Sequence, residues 1–481
     1  MAALIGPART RRNITNLNIM PTTFELELQS ALPDNTVTFG EAIEPKYWQD
    51  WSGLAPVQPL ALVRPRTTRD VSIAMALCNE RRVALVPQGG LTGLAGGAQP
   101  VAGGVVMSLE RMRGVEEIDA VMGTMTVLAG TRLAEIQELA EAAGLYFPLD
   151  LGARGSCTIG GNLSTNAGGN RVIRYGMARD QVLGIECVLP DGTIVTSLNK
   201  MIKNNAGYDL KQLFIGSEGT LGIITRVVLR LQAKPISVAT AMCGCPDYDG
   251  VLTLLKTTRA KLGPSLSAFE VMWPSFVDCM TDGLPQLRKP FAEPHGVYVL
   301  IEASGFREEG ESAHLEACLS TLLAEGAVTD VVIGASERDA KELWSIRDSV
   351  SEYSKVLGPV IGFDIGLPTT SVGEAVQRVQ REVKTRWPDA HVLCYGHIGD
   401  SNLHVVVNVP SARASQPHDE VDALVYEMVR SLGGTISAEH GIGLVKKPFL
   451  SFSRSPEEIA LMQRIKAALD PHNVLNPGKV F

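Results

Sequence analysis

Among the 481 residues no apolar run approaches the roughly 20 residues needed to cross a bilayer, so a soluble chain is expected. A basic excess is missing as well. Lys and Arg number 44 against 52 Asp and Glu, a net charge of -8, which leaves a nucleic-acid partner without an electrostatic footprint. The eight cysteines, at positions 78, 157, 187, 243, 245, 279, 318 and 394, form no Cys-x-x-Cys pair. Structural zinc and a disulfide framework are therefore not expected; the pattern fits a reducing compartment and small buried side chains. There is no Gly-x-Gly-x-x-Gly after a strand and no Gly-x-x-x-x-Gly-Lys-Ser/Thr, which sets aside the Rossmann and P-loop solutions. Internal repeats and low-complexity tracts are absent. Met1–Met20 contains Arg9, Arg11 and Arg12 but no apolar h-region, so it reads as a disordered polar arm, with a short transit peptide as the alternative.

What is present is too long for one core, and the usual 45% hydrophobic and 20% charged residues point to a globular protein of two or more domains. From residue 57 to about Pro235, short strands alternate with helices and glycine-rich stretches. Strands are expected at Leu60–Val63, Val83–Val86, Gly104–Ser108, Val115–Asp119, Met125–Leu128, Val182–Leu189, Ile194–Thr196 and Gly222–Leu231. Helices are expected from a cap at Thr68 or Asp70 to Asn79 and over Leu133–Ala143. Beyond Pro235 the texture becomes an α+β layer, with a long amphipathic helix over Ser336–Val356, a strand at Ile361–Ile365, a short strand at Thr435–Ser437 and a closing helix over 456–469.

Three of the glycine clusters lie in the first 225 residues: Gly89–Gly97, Gly152–Gly169 and Gly216–Gly222. Glycine lets backbone amides approach an anion closely, which is how loops cradle phosphates; singly, each cluster reads equally as tight turns. Together, Pro87-Gln88-Gly89-Gly90-Leu91-Thr92-Gly93, then Gly160-Gly161-Asn162 through Asn166-Ala167-Gly168-Gly169, then Gly216-Ser217-Glu218-Gly219-Thr220-Leu221-Gly222 resemble the FAD-binding domain of the vanillyl-alcohol oxidase / p-cresol methylhydroxylase superfamily. The resemblance implies that the first cluster, with Leu94, wraps the FAD pyrophosphate. The second, with Asp150, Gly155, Ser156, Cys157, Ile159 and Thr165, would line the flavin and ribityl chain. The third, with Glu218, Gly219, Gly222, Ile223 and Ile224, would reach the adenosine. Leu91 stands where covalently flavinylated members often carry histidine, so non-covalent FAD is implied.

Three of the eight histidines fall in Gly396-His397-Ile398-Gly399-Asp400-Ser401-Asn402-Leu403-His404 and Glu439-His440-Gly441-Ile442-Gly443. His397 would end one strand and His404 begin the next, so the two can converge across the turn, and a second turn delivers Glu439 and His440. Two imidazoles and a carboxylate leave an open position on a divalent ion, although His and Glu near turns are also often simply solvated. The two segments, with Leu469-Asp470-Pro471 and Leu475-Asn476-Pro477-Gly478-Lys479, are similar to the C-terminal domain of FAD-linked D-2-hydroxy-acid dehydrogenases, the group of D-lactate and D-2-hydroxyglutarate dehydrogenases. By that resemblance His397, His404 and Glu439 are metal ligands, with zinc ranked ahead of manganese and iron. His440 is the general base, and Asn476 lies near the flavin ring. Arg347, in Trp344-Ser345-Ile346-Arg347, alone reads as a surface ion-pair partner; the resemblance makes it the clamp on the substrate carboxylate.

The implied architecture is an arm and lead-in helix (1–56), an FAD-binding domain (57–235), a substrate or cap domain (236–430) and a C-terminal segment returning to the flavin (431–481). The implied activity is oxidation of a D-2-hydroxy acid such as D-2-hydroxyglutarate, D-lactate or D-malate to its 2-oxo acid, with an electron-transfer flavoprotein or a quinone as acceptor. A cytoplasmic location is expected, or the mitochondrial matrix in a eukaryote; a homodimer is compatible with these residues but not read from them. One departure concerns the substrate. Where the D-2-hydroxyglutarate branch often has lysine before an aromatic-Asp pair, this chain has Gly362-Phe363-Asp364, and Val406 replaces a common asparagine. Monocarboxylates are therefore expected to compete well with dicarboxylates. The other readings are an oxygen-using alcohol oxidase, the alkyl-transferring synthase of the superfamily and an accessory flavoprotein subunit of a glycolate oxidase.

Overall fold

The computed structural model describes residues 23–306 and 310–481; the polar arm expected over residues 1–20 lies outside them. Local signals set the first elements. Thr67, rather than Thr68 or Asp70, caps the helix Thr68–Arg81, because its side chain accepts from the Asp70 amide while Asp70 closes a capping box. Arg82 then ends the helix in the left-handed region at φ 52°, which delays the strand expected at Val83 to Leu85–Gln88.

Strands β1 (Val37–Phe39), β2 (Ala61–Val63), β3 (Leu85–Gln88) and β4 (Val105–Ser108) make a small sheet in the order β1-β2-β4-β3, parallel except for β1. An antiparallel sheet follows. It comprises β5 (Val115–Asp119), β6 (Thr124–Leu128), β8 (Val182–Val188), β9 (Ile194–Ser197) and β10 (Ile223–Arg230) in the order β5-β6-β10-β8-β9, while β7 (Leu145–Tyr146) and β11 (Gln232–Ala233) form a ribbon. One core, including Met75, Val105, Val127, Ile185 and Val227, joins the two sheets. As the edge strand, β3 tolerates Pro87, which has no amide to donate. The C-terminal segment covers that edge: Leu85 donates to the Val474 carbonyl at 2.8 Å and accepts from the Asn476 amide at 2.7 Å.

The second half builds one seven-stranded antiparallel sheet from β12 (Ser237–Cys245), β13 (Leu266–Met272), β14 (Val297–Gly305), β15 (Asp330–Ile333), β16 (Ile361–Gly366), β17 (His391–Gly396) and β18 (Asn402–Asn408), ordered β15-β12-β14-β13-β17-β18-β16. One face packs on the helices Tyr248–Leu262, Ser312–Ala324, Val372–Arg386 and His418–Ser431. Across the sheet lie Pro274–Gly283 and Glu337–Asp348. The long helix expected over Ser336–Val356 is broken. It stops at Asp348, passes through a 3-10 turn at Ser349–Glu352 and resumes as Tyr353–Leu357. The hydroxyls of Ser349 and Ser351 bond back to the carbonyls of Ile346 and Asp348, competing with helix continuation. The chain is α+β, as expected, and among the described residues no helix is long and apolar enough to cross a membrane.

Candidate active site

A cavity of about 1790 Å³ opens between the glycine-rich loops of the first half and the seven-stranded sheet. It exceeds the roughly 300–1,000 Å³ of a pocket for one drug-sized molecule, leaving room for a dinucleotide and a small substrate. Its wall includes Pro87 to Leu94, Asp150, Gly155 to Cys157, Gly160 to Asn162, Thr165, Gly168, Gly169, Glu218, Gly219 and Gly222 to Ile224. Three other residues expected at the cofactor are not part of that wall. Ile159 is fully buried in the core. The Asn166 carboxamide accepts from the Arg179 amide at 3.0 Å. Asn476 donates to the carbonyls of Gly97 at 3.0 Å and Glu218 at 2.8 Å. All three brace the lining from behind.

The lining fits a dinucleotide on two counts. A Cβ added at Gly93 or Gly155 would meet no atom within 4 Å, so these positions keep the cavity clear. The buried Gln88 Oε1, Thr158 Oγ1 and Asn162 Oδ1 have no hydrogen-bond partner among the described residues, although all three residues line the cavity. Gly160 serves packing instead. A Cβ there would come within 2.8 Å of the Ala129 Cβ, so glycine permits the helix Ile159–Ser164 to seat on the antiparallel sheet. Leu91 sits at φ 59°, an uncommon conformation for a residue with a side chain and one that clusters at ligand clamps.

At the other end of the cavity the seven-stranded sheet presents its chemistry in a row. Tyr395, His404 and Asp364 are cross-strand partners on β17, β18 and β16. His397 follows directly after β17 and is turned by Glu270 of β13, whose Oε1 lies 2.7 Å from Nδ1, so that Nε2 faces Glu439 Oε1 at 4.0 Å. The strand expected at Thr435–Ser437 is reduced to a single bridge between Gly366 and Thr435. Asp364 takes over its role, accepting from the amides of Glu439 at 2.9 Å and His440 at 2.8 Å and from the Ser437 hydroxyl at 3.2 Å. His397, His404 and Glu439 each bring a ligand atom within 4.8 Å of the others. Asp364, Glu439 and His440 bring ligand atoms equally close together, but Asp364 is already engaged by these donors and by Asn402 at 2.9 Å. Among the described residues the first triad carries no such set of backbone and amide donors, and two imidazoles with a carboxylate suit a divalent ion. Gly168 of the second glycine cluster makes the approach possible, since a Cβ there would lie 2.5 Å from Glu439 Oε1.

The charges are ordered by burial and by two carboxylates. Burial opposes the His397 imidazolium, yet Glu270 outweighs it and lifts the group to about 9, while Glu270, also opposed by burial, is held down at about 2 by His397 and Arg347. His404 is pushed well below the ordinary histidine value by burial and by His397. His440 is lowered too, by burial, with Asp364 acting against the shift from 3.8 Å at Nδ1. Arg347 is not at the surface. It is 4% exposed, donates from Nε to Glu270 at 2.7 Å, lies 3.4 Å from His397 Nε2 through a terminal nitrogen, and stacks over Tyr395 at 5.0 Å. Glu270 is thus a functional residue that sequence reasoning missed. Its signal was an acid inside the apolar strand Phe269-Glu270-Val271, a position where charge survives only when paired. Glu218 is another surprise: beyond lining the cavity, it accepts from the amides of Ile442 at 2.7 Å and Gly443 at 2.8 Å, tying the third glycine cluster to the Glu439-His440 turn.

The model "FAD linked oxidases, C-terminal domain" matches residues 234–480, and "FAD binding domain" matches residues 59–197. The chain belongs to the FAD-linked oxidases, a family of FAD-dependent oxidoreductases. Among its relatives, the mitochondrial D-2-hydroxyglutarate dehydrogenase of Bos taurus is 41% identical over 94% of this chain and 82% of that protein. A probable mitochondrial D-2-hydroxyglutarate dehydrogenase of Oryza sativa subsp. indica is 42% identical over 90% of this chain and 77% of its own length. The solved structure of p-cresol methylhydroxylase with substrate bound superposes with a TM-score of 0.74 at 15% identity, covering 95% of each chain. The two-part FAD-binding fold expected from the glycine clusters is the one this chain adopts.

Proposed function

We propose that this protein is an FAD- and metal-dependent dehydrogenase that oxidises a D-2-hydroxy acid to the 2-oxo acid. The observation that carries the reading is the convergence of His397, His404 and Glu439 in the cavity that the three glycine clusters line, with Arg347 and His440 on the same wall. The names of the relatives support the D-2-hydroxy acid class. When bound, the flavin supplies the two-electron acceptor and the divalent ion supplies a Lewis acid for the substrate hydroxyl.

The chain's own residues do the rest. Arg347, held in place by Glu270 and Tyr395, presents its remaining guanidinium donors to the substrate carboxylate. His440 faces Asp364 through Nδ1, so Nε2 is the atom that takes the hydroxyl proton. Burial keeps this imidazole neutral near pH 7, the form a base needs, and Asp364 favours the imidazolium once it forms. Glu270 stabilises positive charge on His397, which would favour a proton there or, in its place, a divalent ion held by the triad.

The test is anaerobic bleaching of the flavin absorption on adding D- and L-2-hydroxy acids, before and after chelation. Rapid, D-selective, chelator-sensitive bleaching is expected, and His440→Ala should slow it by about 10²–10⁴-fold with metal still bound. Near-normal bleaching in His440→Ala would remove that residue from the base's role. Failure of every acid in metal-replete protein would remove the dehydrogenase reading itself.

A further inference from the structure

The row that carries Tyr395, His404 and Asp364 has a second row beside it on the same sheet face. Two residues along each strand stand Leu393, Val406 and Gly362, again direct cross-strand partners. Successive same-face residues on a strand lie about 6.5–7 Å apart, so this second row begins one substrate side chain away from His404. Val406 is 2% exposed and Gly362 is exposed to the cavity, which both line. A Cβ at Gly362 would meet nothing within 4 Å, so the wall opens outward there. The broken helix over this face supplies Val350 and Tyr353, and Val360 leads into β16. These three also line the cavity and pack against the apolar cluster that holds Leu393 and Val406.

Among the described residues, every Lys and Arg of the lining except Lys341 lies in an ion pair. Arg347 is bound to Glu270, Lys446 lies 3.5 Å from Asp364, Arg171 pairs with Glu302, and Arg154 lies 2.8 Å from Asp150. Lys341 is exposed and sits six residues before Arg347, which places it about 9 Å along the helix and about 120° around it. Beside this row a second carboxylate on the substrate would face valines and a tyrosine ring, and among the described residues the row itself offers no cation to receive it, whereas an alkyl chain would be at home.

We infer that the row Val406–Gly362 sets the substrate class: this enzyme takes D-2-hydroxy monocarboxylates with an apolar side chain of several carbons in preference to D-2-hydroxy dicarboxylates. The inference rests on the dehydrogenase reading above. Each methylene in such a pocket is worth roughly 10-fold or more in kcat/KM.

The experiment compares kcat/KM of the metal-replete flavoenzyme for D-lactate, D-2-hydroxyhexanoate and D-2-hydroxyglutarate, in the wild type and in Gly362→Lys. The wild type is expected to favour D-2-hydroxyhexanoate over both others, by at least about tenfold over D-2-hydroxyglutarate. Gly362→Lys, which the open space accommodates, should raise kcat/KM for D-2-hydroxyglutarate and lower it for D-2-hydroxyhexanoate. A wild type that prefers D-2-hydroxyglutarate overturns this inference and leaves the dehydrogenase reading standing. An absence of turnover with all three overturns both.

Discussion

Glu270 precedes His397 by 127 positions and Arg347 by 77, yet one carboxylate orients both. Bidentate use of this kind fixes the imidazole so that Nε2 points towards Glu439, into the proposed ion site, and fixes the guanidinium so that its outer edge stays available. Glu270→Gln keeps the volume and removes the charge. Metal affinity, read by competition with a chromophoric chelator, should fall about 10–100-fold while flavin content stays unchanged; an unaltered affinity would mean that His397 is held by packing alone. The contrast with the other site residues explains what the sequence could disclose. His397, His404, Glu439 and His440 occupy two short windows whose residue types already suggest coordination. Glu270 carries no such neighbourhood, and Asp364 was visible only as part of an aromatic-Asp pair; their roles depend on strand pairing that brings distant segments together.

The elements divide in the same way. Capped helices such as Thr68–Arg81 announce themselves through local side-chain chemistry. By contrast β12 escaped the sequence reading, because burial on both faces erases the alternation that marks a half-exposed strand: Ala239, Ala241 and Cys243 serve one core and Met242 the other. The helix Ile159–Ser164 and the loop that follows it show how an element can serve two sites at once. Its glycines line the cavity, and Gly168 gives Glu439 the space to approach His397 and His404. A methyl group at 168 would intrude on that carboxylate, so Gly168→Ala should lower metal bound per chain as measured by elemental analysis. Full metal occupancy would show that Glu439 has another way in. Flavin absorbance of the same sample reports whether the cradle itself survives.

On the scale of the whole molecule, the two halves are fastened at the site they create. Glu218 receives two amides of the turn that carries His440, and its burial raises its affinity for a proton, so the fully charged form depends on those donors. Glu218→Gln retains only one good acceptor and should cost about 1.5–3 kcal/mol of stability, seen as a lower unfolding midpoint in urea with an unchanged slope. An unchanged midpoint would assign the fastening to the surrounding apolar contacts instead. The sequence made the glycine clusters and the histidine segments visible separately; that Glu218 joins them could be learned only from the fold, since 224 positions separate it from Ile442.

The strand edge at Leu85 is sealed by residues near the far end of the chain, and Lys466 reaches the Thr220 and Leu475 carbonyls at 2.8 and 2.6 Å. A ribosome therefore releases the glycine loops long before their covering partner exists. The nascent first half must wait with its β3 edge bare, and such non-local closure is intrinsically slow.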